Sequence, residues 1–319
     1  MLNESKKPDD LIRLEKIKSN LEFRSRYLKE LRNYFFANDF IEIETPVMIQ
    51  SPAPEDYINA PPTGDFFLRT SPELHMKRLV AAGYKKIFQI GPCFREGETG
   101  TLHNVEFSML EWYEIGKDYN KLLISLQKLL LNTIKNATGS TLISFRGRAI
   151  GLNEWKSYTV RDAFSEFAGT SPEKAIENGE FEIILTEKVE PNLPKDRPVI
   201  LKDYPASMAA LSRLKEDDSS LAERWELYLG GIEIANAYSE LIDPGEQRKR
   251  FDIVHENRKK LNLPKYSDDS DFFAALEYGM DSYTGIALGI DRLIMVLTDA
   301  PNIREVISFT EPRKSSAVV

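Results

Sequence analysis

The stretch from Phe88 to Ile115, FQIGPCFREGETGTLHNVEFSMLEWYEI, constrains this chain more than any other. Two runs rich in apolar and β-forming residues flank a polar loop that contains glycine. Phe88, Ile90 and Phe94 lie before the loop; Phe107, Met109, Leu110, Trp112 and Tyr113 lie after it. This pattern predicts an antiparallel hairpin with a long connection. Charges sit at its ends: Arg95 where the first strand gives out, Glu106 and Glu111 on the second. A guanidinium binds phosphate or carboxylate bidentately, and carboxylates take an ammonium. An arginine facing acids across a cleft therefore suits a ligand with an acidic and an amino end. The same residues also describe an ordinary surface hairpin with cross-strand ion pairs, and the stretch alone leaves both readings open.

Composition narrows the function classes. At 319 residues the chain has room for one large domain or two small ones. It carries 42 Lys and Arg against 50 Asp and Glu, a net charge of −8. That balance speaks against non-specific nucleic-acid binding, which needs a basic face, and suits a partner that presents a basic site such as a lysine. The single cysteine, Cys93, permits neither an intramolecular disulfide nor a multi-cysteine zinc site. Within its apolar run it reads as a small buried hydrophobe rather than a nucleophile. The three histidines, His75, His103 and His255, are scattered, so no histidine-based metal site is expected. The opening MLNESKKPDD has no signal-peptide pattern. No apolar run approaches the roughly 20 residues a membrane span requires. A cytoplasmic protein with no membrane contact is expected.

Along the chain, Leu11 to Asn38 reads as helix, with Leu21, Leu28, Leu31 and Phe35 at helical spacing. Phe40 to Val47 alternates like a strand and is interrupted by Pro46, which belongs at an edge or an interface because it donates no backbone hydrogen bond. Residues 50 to 65 are a proline-rich loop, and Phe66 to Arg69 a short strand. Thr70-Ser71-Pro72-Glu73 has the order of a helix start: hydroxyl cap, proline, acid. Asp118 to Lys135 is an amphipathic helix. Trp155 to Phe167 and Ser171 to Glu177 look helical, and Phe181 to Leu185 fits strand or helix. Pro198 to Leu201 reads as a strand, with Tyr204-Pro205 a turn. Trp225 to Leu229 and Ile232 to Tyr238 form a second hairpin around Gly230-Gly231. Two helices, 244 to 263 and 268 to 278, follow. Gly285 to Arg292 begins as a small-residue strand, where backbone can approach a ligand closely, and passes into a helix from Asp291 to Leu297. No P-loop and no Rossmann glycine fingerprint is present, so any nucleotide is held by the sheet itself.

Phe94-Arg95 and His103-Asn104-Val105-Glu106-Phe107, bounding the first hairpin loop, resemble motif 2 of the class II aminoacyl-tRNA synthetases. GIALGIDRLIMVL (Gly285 to Leu297) is similar to their motif 3, and the first helix with the strand ending at Pro46 to motif 1. With TSPELHMKRL (Thr70 to Leu79) and GIEIANAYSEL (Gly231 to Leu241), the set resembles the lysyl-tRNA synthetase catalytic domain. It resembles more closely that domain's stand-alone paralogues, the elongation factor P lysyltransferases. The resemblance implies an α+β fold, a class II synthetase-like antiparallel sheet flanked by helices. It covers residues 1–319 as one catalytic domain, with 136–200 an insertion between motifs 2 and 3. It also implies ATP and Mg²⁺, a homodimer through motif 1, and elongation factor P as acceptor.

Residue roles follow from the same resemblance. Arg95 takes the α-phosphate and the substrate carboxylate, and Arg292 the γ-phosphate. These two are the catalytic pair. His103 and Asn104 lie on the phosphate side of the loop and Phe107 stacks on adenine; Glu96, Gly97, Glu233, Ile234 and Gly289 complete the ATP site. Glu226 and Glu233 hold Mg²⁺, although their spacing alone describes two solvated charges. Glu240 and Tyr113 receive the ε-ammonium of lysine. Glu73 and Glu111 surround the α-amino group with Ser71 and Pro72, and Asn236 and Ala287 lie close by. Such a pocket repels aspartate and accepts a diamino acid. One departure stands out: the family's Arg-Asn-Glu is here Arg95-Glu96-Gly97-Glu98, so either Glu96 or Glu98 replaces the adenine-contacting acid, or stacking and backbone hold the ring.

Two features point from the synthetase toward the paralogue. The chain starts almost directly at the motif 1 helix, leaving no room for an N-terminal anticodon-binding domain, and with the acidic balance this argues against tRNA as acceptor. Ala287, between Gly285 and Gly289, stands where lysyl-tRNA synthetases carry glycine and the paralogues alanine; one methyl there fits a preference for (R)-β-lysine. Two alternatives stay open: an activating enzyme for another amino acid or acceptor, a tRNA or carrier protein, and an inactive synthetase fold that only binds.

Overall fold

The structure is a computed structural model that describes residues 7–310. The first helical stretch divides at Ile17 into α1 (Asp9–Lys16) and α2 (Lys18–Ala37). The strand expected over Phe40 to Val47 shrinks to β1 (Ile41–Glu42). Its continuation is captured elsewhere: the Arg69 guanidinium bonds the carbonyl and hydroxyl of Thr45 at 2.9 and 2.6 Å, so this backbone bends away before Pro46. A small sheet follows, made of β2 (Met48–Ile49), β3 (Pro62–Thr63) and β4 (Phe66–Leu68). Helix α3 (Glu73–Ala81) starts as expected, with the Glu73 N–H donating to the Ser71 hydroxyl at 2.9 Å.

The hairpin that dominates the sequence is present as β5 (Lys86–Phe94) and β6 (Glu106–Ile115), paired from Lys86↔Glu114 to Phe94↔Glu106. Helix α4 (Tyr119–Thr138) is capped by Asp118 and ends at Gly139 in the left-handed conformation. A hairpin absent from the sequence reading comes next, β7 (Leu142–Phe145) and β8 (Arg148–Gly151). It turns on Arg146 and Gly147, both at positive φ. Trp155 to Phe167 is not one helix. Lys156–Thr159 is an edge strand, β9, pairing in parallel with Val199 to Lys202, and α5 (Val160–Ala163) starts only after the Thr159 cap. Two short helices, α6 (Pro172–Glu177) and α7 (Phe181–Ile184), finish this segment.

Tyr204-Pro205 is not a turn either. Both residues end β10 (Val199–Pro205), which carries a bulge at Asp203. The second hairpin is β11 (Leu221–Leu229) and β12 (Ile232–Ser239). Then come α8 (Pro244–Lys260), α9 (Ser270–Tyr278), β13 (Tyr283–Gly289) and α10 (Ile290–Leu297).

The large sheet has eight strands in the order β1-β5-β6-β13-β12-β11-β10-β9. Only its two edge strands, β1 and β9, pair in parallel with their neighbours; the six strands between them are antiparallel throughout. Strand residues alternate between faces. One face sends Phe88, Leu110, Trp112, Trp225, Leu227, Ile286 and Leu288 into the main core against α2, α4 and α10. Phe35 of α2 stacks on Phe88 at 4.5 Å and meets Trp112 edge-on at 5.3 Å. The opposite face carries Glu111, Tyr113, Gly285, Ala287, Asn236, Arg224 and Glu226, placed side by side by the register. A separate core, with Phe164, Phe181, Leu185 and Val189 around Tyr204 and Tyr228, covers the β10–β11 end of the sheet. Helices α3, α8 and α9 pack together through Leu74, Phe251, Phe272 and Leu276.

Candidate active site

The polar face of the sheet divides into two neighbouring compartments. The first lies under the β5–β6 loop and the start of α10. Arg95 leaves the end of β5 and lies over the Phe107 ring at 5.2 Å, while Glu98 stands 3.6 Å from its guanidinium. Arg292, in the first turn of α10, is clamped from three sides. It donates to the Glu233 carbonyl and carboxylate at 3.1 and 3.0 Å, to the Leu102 carbonyl at 3.4 Å and to His103 Nε2 at 2.6 Å. A guanidinium only donates, so His103 Nε2 is the acceptor and the ring proton sits on Nδ1. Burial and the neighbouring Arg292 push the histidine below its ordinary value, in agreement with a neutral ring. The helix start is anchored by Asp291, which accepts from the Ser108 N–H at 2.8 Å and pairs with Arg24 of α2. The cavity so formed is lined by Arg95, Glu98, His103, Phe107, Ile234 and Arg292, with Asn104, Asn236, Ala287 and Gly289 at its floor and sides. Two guanidinium groups, an aromatic ring and small-residue backbone are what a polyphosphate bearing a flat base requires.

The second compartment is acidic and buried. Glu111 accepts from the Ser71 hydroxyl at 2.7 Å and from the Tyr113 hydroxyl at 3.0 Å. Burial, then the charge of Glu73, raises its carboxyl to about 8 against the pull of those two hydrogen bonds. Glu240, just past the end of β12, is almost wholly buried and reaches across Gly285 toward Tyr113. A methyl group on Gly285 would lie 2.2 Å from Glu240 Oε1 and 2.4 Å from the Tyr113 ring, so glycine is the only residue that lets both side chains cross the strand. Lys77 of α3, also wholly buried, places its ammonium 2.6 Å from Glu73 and 2.7 Å from Glu240. Burial opposes that charge, but the two carboxylates outweigh it and keep the ammonium charged.

Glu226, beside this face on β11, has both oxygens engaged. Oε2 accepts from the Tyr204 and Tyr228 hydroxyls at 2.6 and 2.8 Å, and Oε1 pairs with Arg224 at 2.6 Å. Arg224 in turn lies over the Tyr204 ring at 4.3 Å. Glu226 is therefore a buried, hydrogen-bonded carboxylate and not a solvated charge. Glu233 pairs with Tyr228 across the hairpin, one bulge along from Glu226 opposite Asn236.

The register thus brings together Arg95, His103, Asn104, Phe107, Glu233, Ile234, Gly289 and Arg292 in one compartment, and Ser71, Glu73, Glu111, Tyr113 and Glu240 in the other. Pro72 is buried at the start of α3. Glu96 and Gly97 do not line the cavity; they sit exposed on the loop, and Glu98 occupies the wall. Cys93 is buried and its thiol is pushed up to about 12, chiefly by burial, which makes it a core residue. Sequence reasoning missed Lys77, Arg224, Tyr204 and Tyr228. Lys77 had a legible signal, since Glu73 and Lys77 stand four residues apart and share one helix face. Arg224 and Tyr228 had one too, since each stands two residues from Glu226 on β11 and shares its face; Tyr204 had none, because it reaches Glu226 from β10.

The chain matches the model of the tRNA synthetases class II (D, K and N) over residues 6–313. It is 36% identical to the elongation factor P–(R)-β-lysine ligase of Hamiltonella defensa over 311 residues, 92% of this chain and 96% of that protein. The protein of the same name from Haemophilus influenzae strain PittGG is 36% identical over 91% of this chain and 94% of its own length. Lysine–tRNA ligase 2 of Methanosarcina mazei is 35% identical over 91% of this chain, which spans 62% of that protein.

Two outcomes are expected from this geometry. Substituting Gly285→Ala pushes Glu240 and Tyr113 off their crossing, and calorimetric titration should show diamino-acid affinity falling on the order of 10²-fold. An unchanged affinity would place the amino acid elsewhere. The second concerns protons. An ammonium bound beside Glu111 expels the proton that the raised carboxyl holds, so the complex carries fewer protons than the free site. Affinity should then rise with pH and level off above about 8, with proton release seen by calorimetry in buffers of different ionisation enthalpy. Glu240 in the same pocket is raised to about 8 as well, so Glu111→Gln should reduce the slope and leave the part that belongs to Glu240; an undiminished slope would take Glu111 out of the proton exchange.

Proposed function

The chain belongs to the class II tRNA synthetases (D, K and N), and we propose that within this family it is an ATP-dependent ligase for (R)-β-lysine or lysine. It forms the aminoacyl-adenylate and transfers the acyl group to a lysine side chain of elongation factor P. The observation that carries this reading is the buried acidic pocket of Glu73, Glu111, Glu240 and Tyr113 directly beside a cavity with two arginines. The near full-length similarity to the two elongation factor P–(R)-β-lysine ligases supports the acceptor.

In the first step a substrate carboxylate oxygen attacks the α-phosphorus of ATP and pyrophosphate leaves. Two anions must meet, so the demand on the protein is electrostatic and positional. Arg95 bridges carboxylate and α-phosphate, Phe107 stacks against the base, and Arg292 holds the outer phosphates. His103, being neutral and bonded to Arg292, orients that guanidinium without adding charge. The ammonium groups of the substrate rest on Glu240 with Tyr113, and on Glu111 with Glu73. In the second step the neutral amine of the acceptor lysine attacks the acyl carbon, AMP leaves, and an amide forms.

Glu226 and Glu233 suit a hard cation only in part. No group of three His, Cys, Asp or Glu able to hold a metal exists among the described residues, and Glu226 already accepts from two tyrosines and Arg224. Glu226 Oε1 and the Glu233 carboxylate each keep a lone pair free, however, and Mg²⁺ bound with a nucleotide takes most of its ligands from phosphate and water. These two glutamates fit that arrangement; the ion would neutralise phosphate charge.

We further propose a homodimer through α2 and β1, whose Phe36 and Ile41 stand exposed beside the sheet edge, and a cytoplasmic site of action. tRNA is not proposed as acceptor, given the net charge of −8. No helix among the described residues is long and apolar enough to cross a membrane.

ATP–pyrophosphate exchange with (R)-β-lysine, α-lysine and a panel of other amino acids tests the activation step without any acceptor. Exchange is expected with a lysine isomer and should fall by about 10²-fold or more in Arg95→Ala; exchange with no diamino acid would reject the reading. Labelled adenylate should then transfer to elongation factor P and not to tRNA. Sedimentation of a monomer at micromolar concentration would rule out the dimer.

A further inference from the structure

Lys77 is the only fully buried lysine among the described residues, and the activation chemistry gives it no part. Its ammonium lies between Glu73 Oε1 at 2.6 Å and Glu240 Oε2 at 2.7 Å. Glu240 is thus shared: Oε2 meets the chain's own ammonium, while Oε1 lies over Gly285 beside the Tyr113 ring. The pocket that receives the substrate already contains an ammonium of the same chemistry as the substrate's.

Counting charges shows what this does. Glu73, Glu111 and Glu240 offer three negative charges when ionised, and Lys77 cancels one. Two remain, which equals the number of ammonium groups on a diamino acid whose carboxylate is paired by Arg95. Burial already raises the Glu240 carboxyl to about 8 with Lys77 pulling it down; without Lys77 it would be a buried carboxylate with no fixed counter-ion, and such a group takes up a proton rather than stay charged. A protonated Glu240 no longer distinguishes an ammonium from a methyl group.

We propose that Lys77 is a positioning and specificity-determining residue: its ammonium holds Glu240 and Glu73 in place and sets the pocket's charge to that of a ligand with two ammonium groups. The proposal rests on the reading that this pocket receives the amino acid. Through Glu240, Lys77 selects a diamino acid over an isosteric neutral one, without itself touching the reacting atoms. A purely structural staple between α3 and the strand after β12 would lower stability and leave this discrimination alone.

The test uses the full chain in ATP–pyrophosphate exchange, comparing lysine or β-lysine with norleucine. Lys77→Met keeps the length and apolar stem and removes the charge. The KM for the diamino acid should rise on the order of 10²-fold while the KM for ATP stays unchanged, and the preference over norleucine should shrink to match. Lys77→Ala, which leaves room for a small cation, should regain part of that preference when n-propylammonium is added. A folded Lys77→Met protein with unaltered KM and preference overturns the proposal. So does loss of folding in both variants that the amine does not restore, since Lys77 would then serve stability alone. Failure of the unsubstituted chain to exchange with any diamino acid is a separate result, and overturns the functional reading together with this one.

Discussion

Charge buried on one face of a β-sheet is the condition this structure has to satisfy. Glu111, Glu226 and Glu240 are all removed from water on, or at the end of, central strands. An isolated carboxylate in such a place would protonate or unfold the protein around it. Each is met by a different device. Hydroxyls of Ser71 and Tyr113 serve Glu111; two tyrosines and Arg224 serve Glu226; Lys77 serves Glu240. Of the three, Glu111 has no cation in direct contact; burial raises its carboxyl to about 8, and raises Glu240 as far even against the pull of Lys77. The site therefore stores a demand for an ammonium group where its own chain leaves one unmet.

The other face explains why the first can be so polar. Phe88, Leu110, Trp112, Trp225 and Ile286 make one continuous apolar layer on α2, α4 and α10. Strand alternation lets both faces be built from the same residues in turn, so Leu110 and Trp112 support the positions that hold Glu111 and Tyr113. Helix α10 links the two sides. Its apolar residues pack in the core, while Arg292 in its first turn reaches the cavity and Asp291 ties it to β6 and α2. Small residues on β13 serve the polar face in a different way: Gly285 leaves the space through which Glu240 and Tyr113 approach one another.

Much of this was legible without coordinates. Both long hairpins, the amphipathic helix α4, and the passage from β13 into α10 follow from the period of apolar and small residues. The errors have physical causes. The segment before Pro46 had the alternation of a strand, but Arg69 takes the hydrogen-bonding groups a neighbouring strand needs. Lys156 to Thr159 had helical spacing and became an edge strand because β10 offers it a partner. Tyr204-Pro205 had turn residues and instead closes a strand, where Pro205 pairs with Leu221 at the ladder's end. In each case a distant segment outweighed a local preference.

The sequence by itself determined the kinds of group available and the face each would occupy. Alternation put Glu111 and Tyr113 on the same side, and the motifs named Arg95 and Arg292 as the anion-binding pair. It also carried the family, since the order of several motifs survives in the linear chain. Only the tertiary structure decided which charge neutralises which. Lys77 and Glu240 meet because α3 packs against the sheet, and Tyr204 of β10 closes over Glu226 of β11 because the two strands are neighbours. Such pairings depend on strand order and register between segments far apart in the chain. Electrostatic energy follows distance in space and local burial, and neither is written in the spacing of residues along the chain.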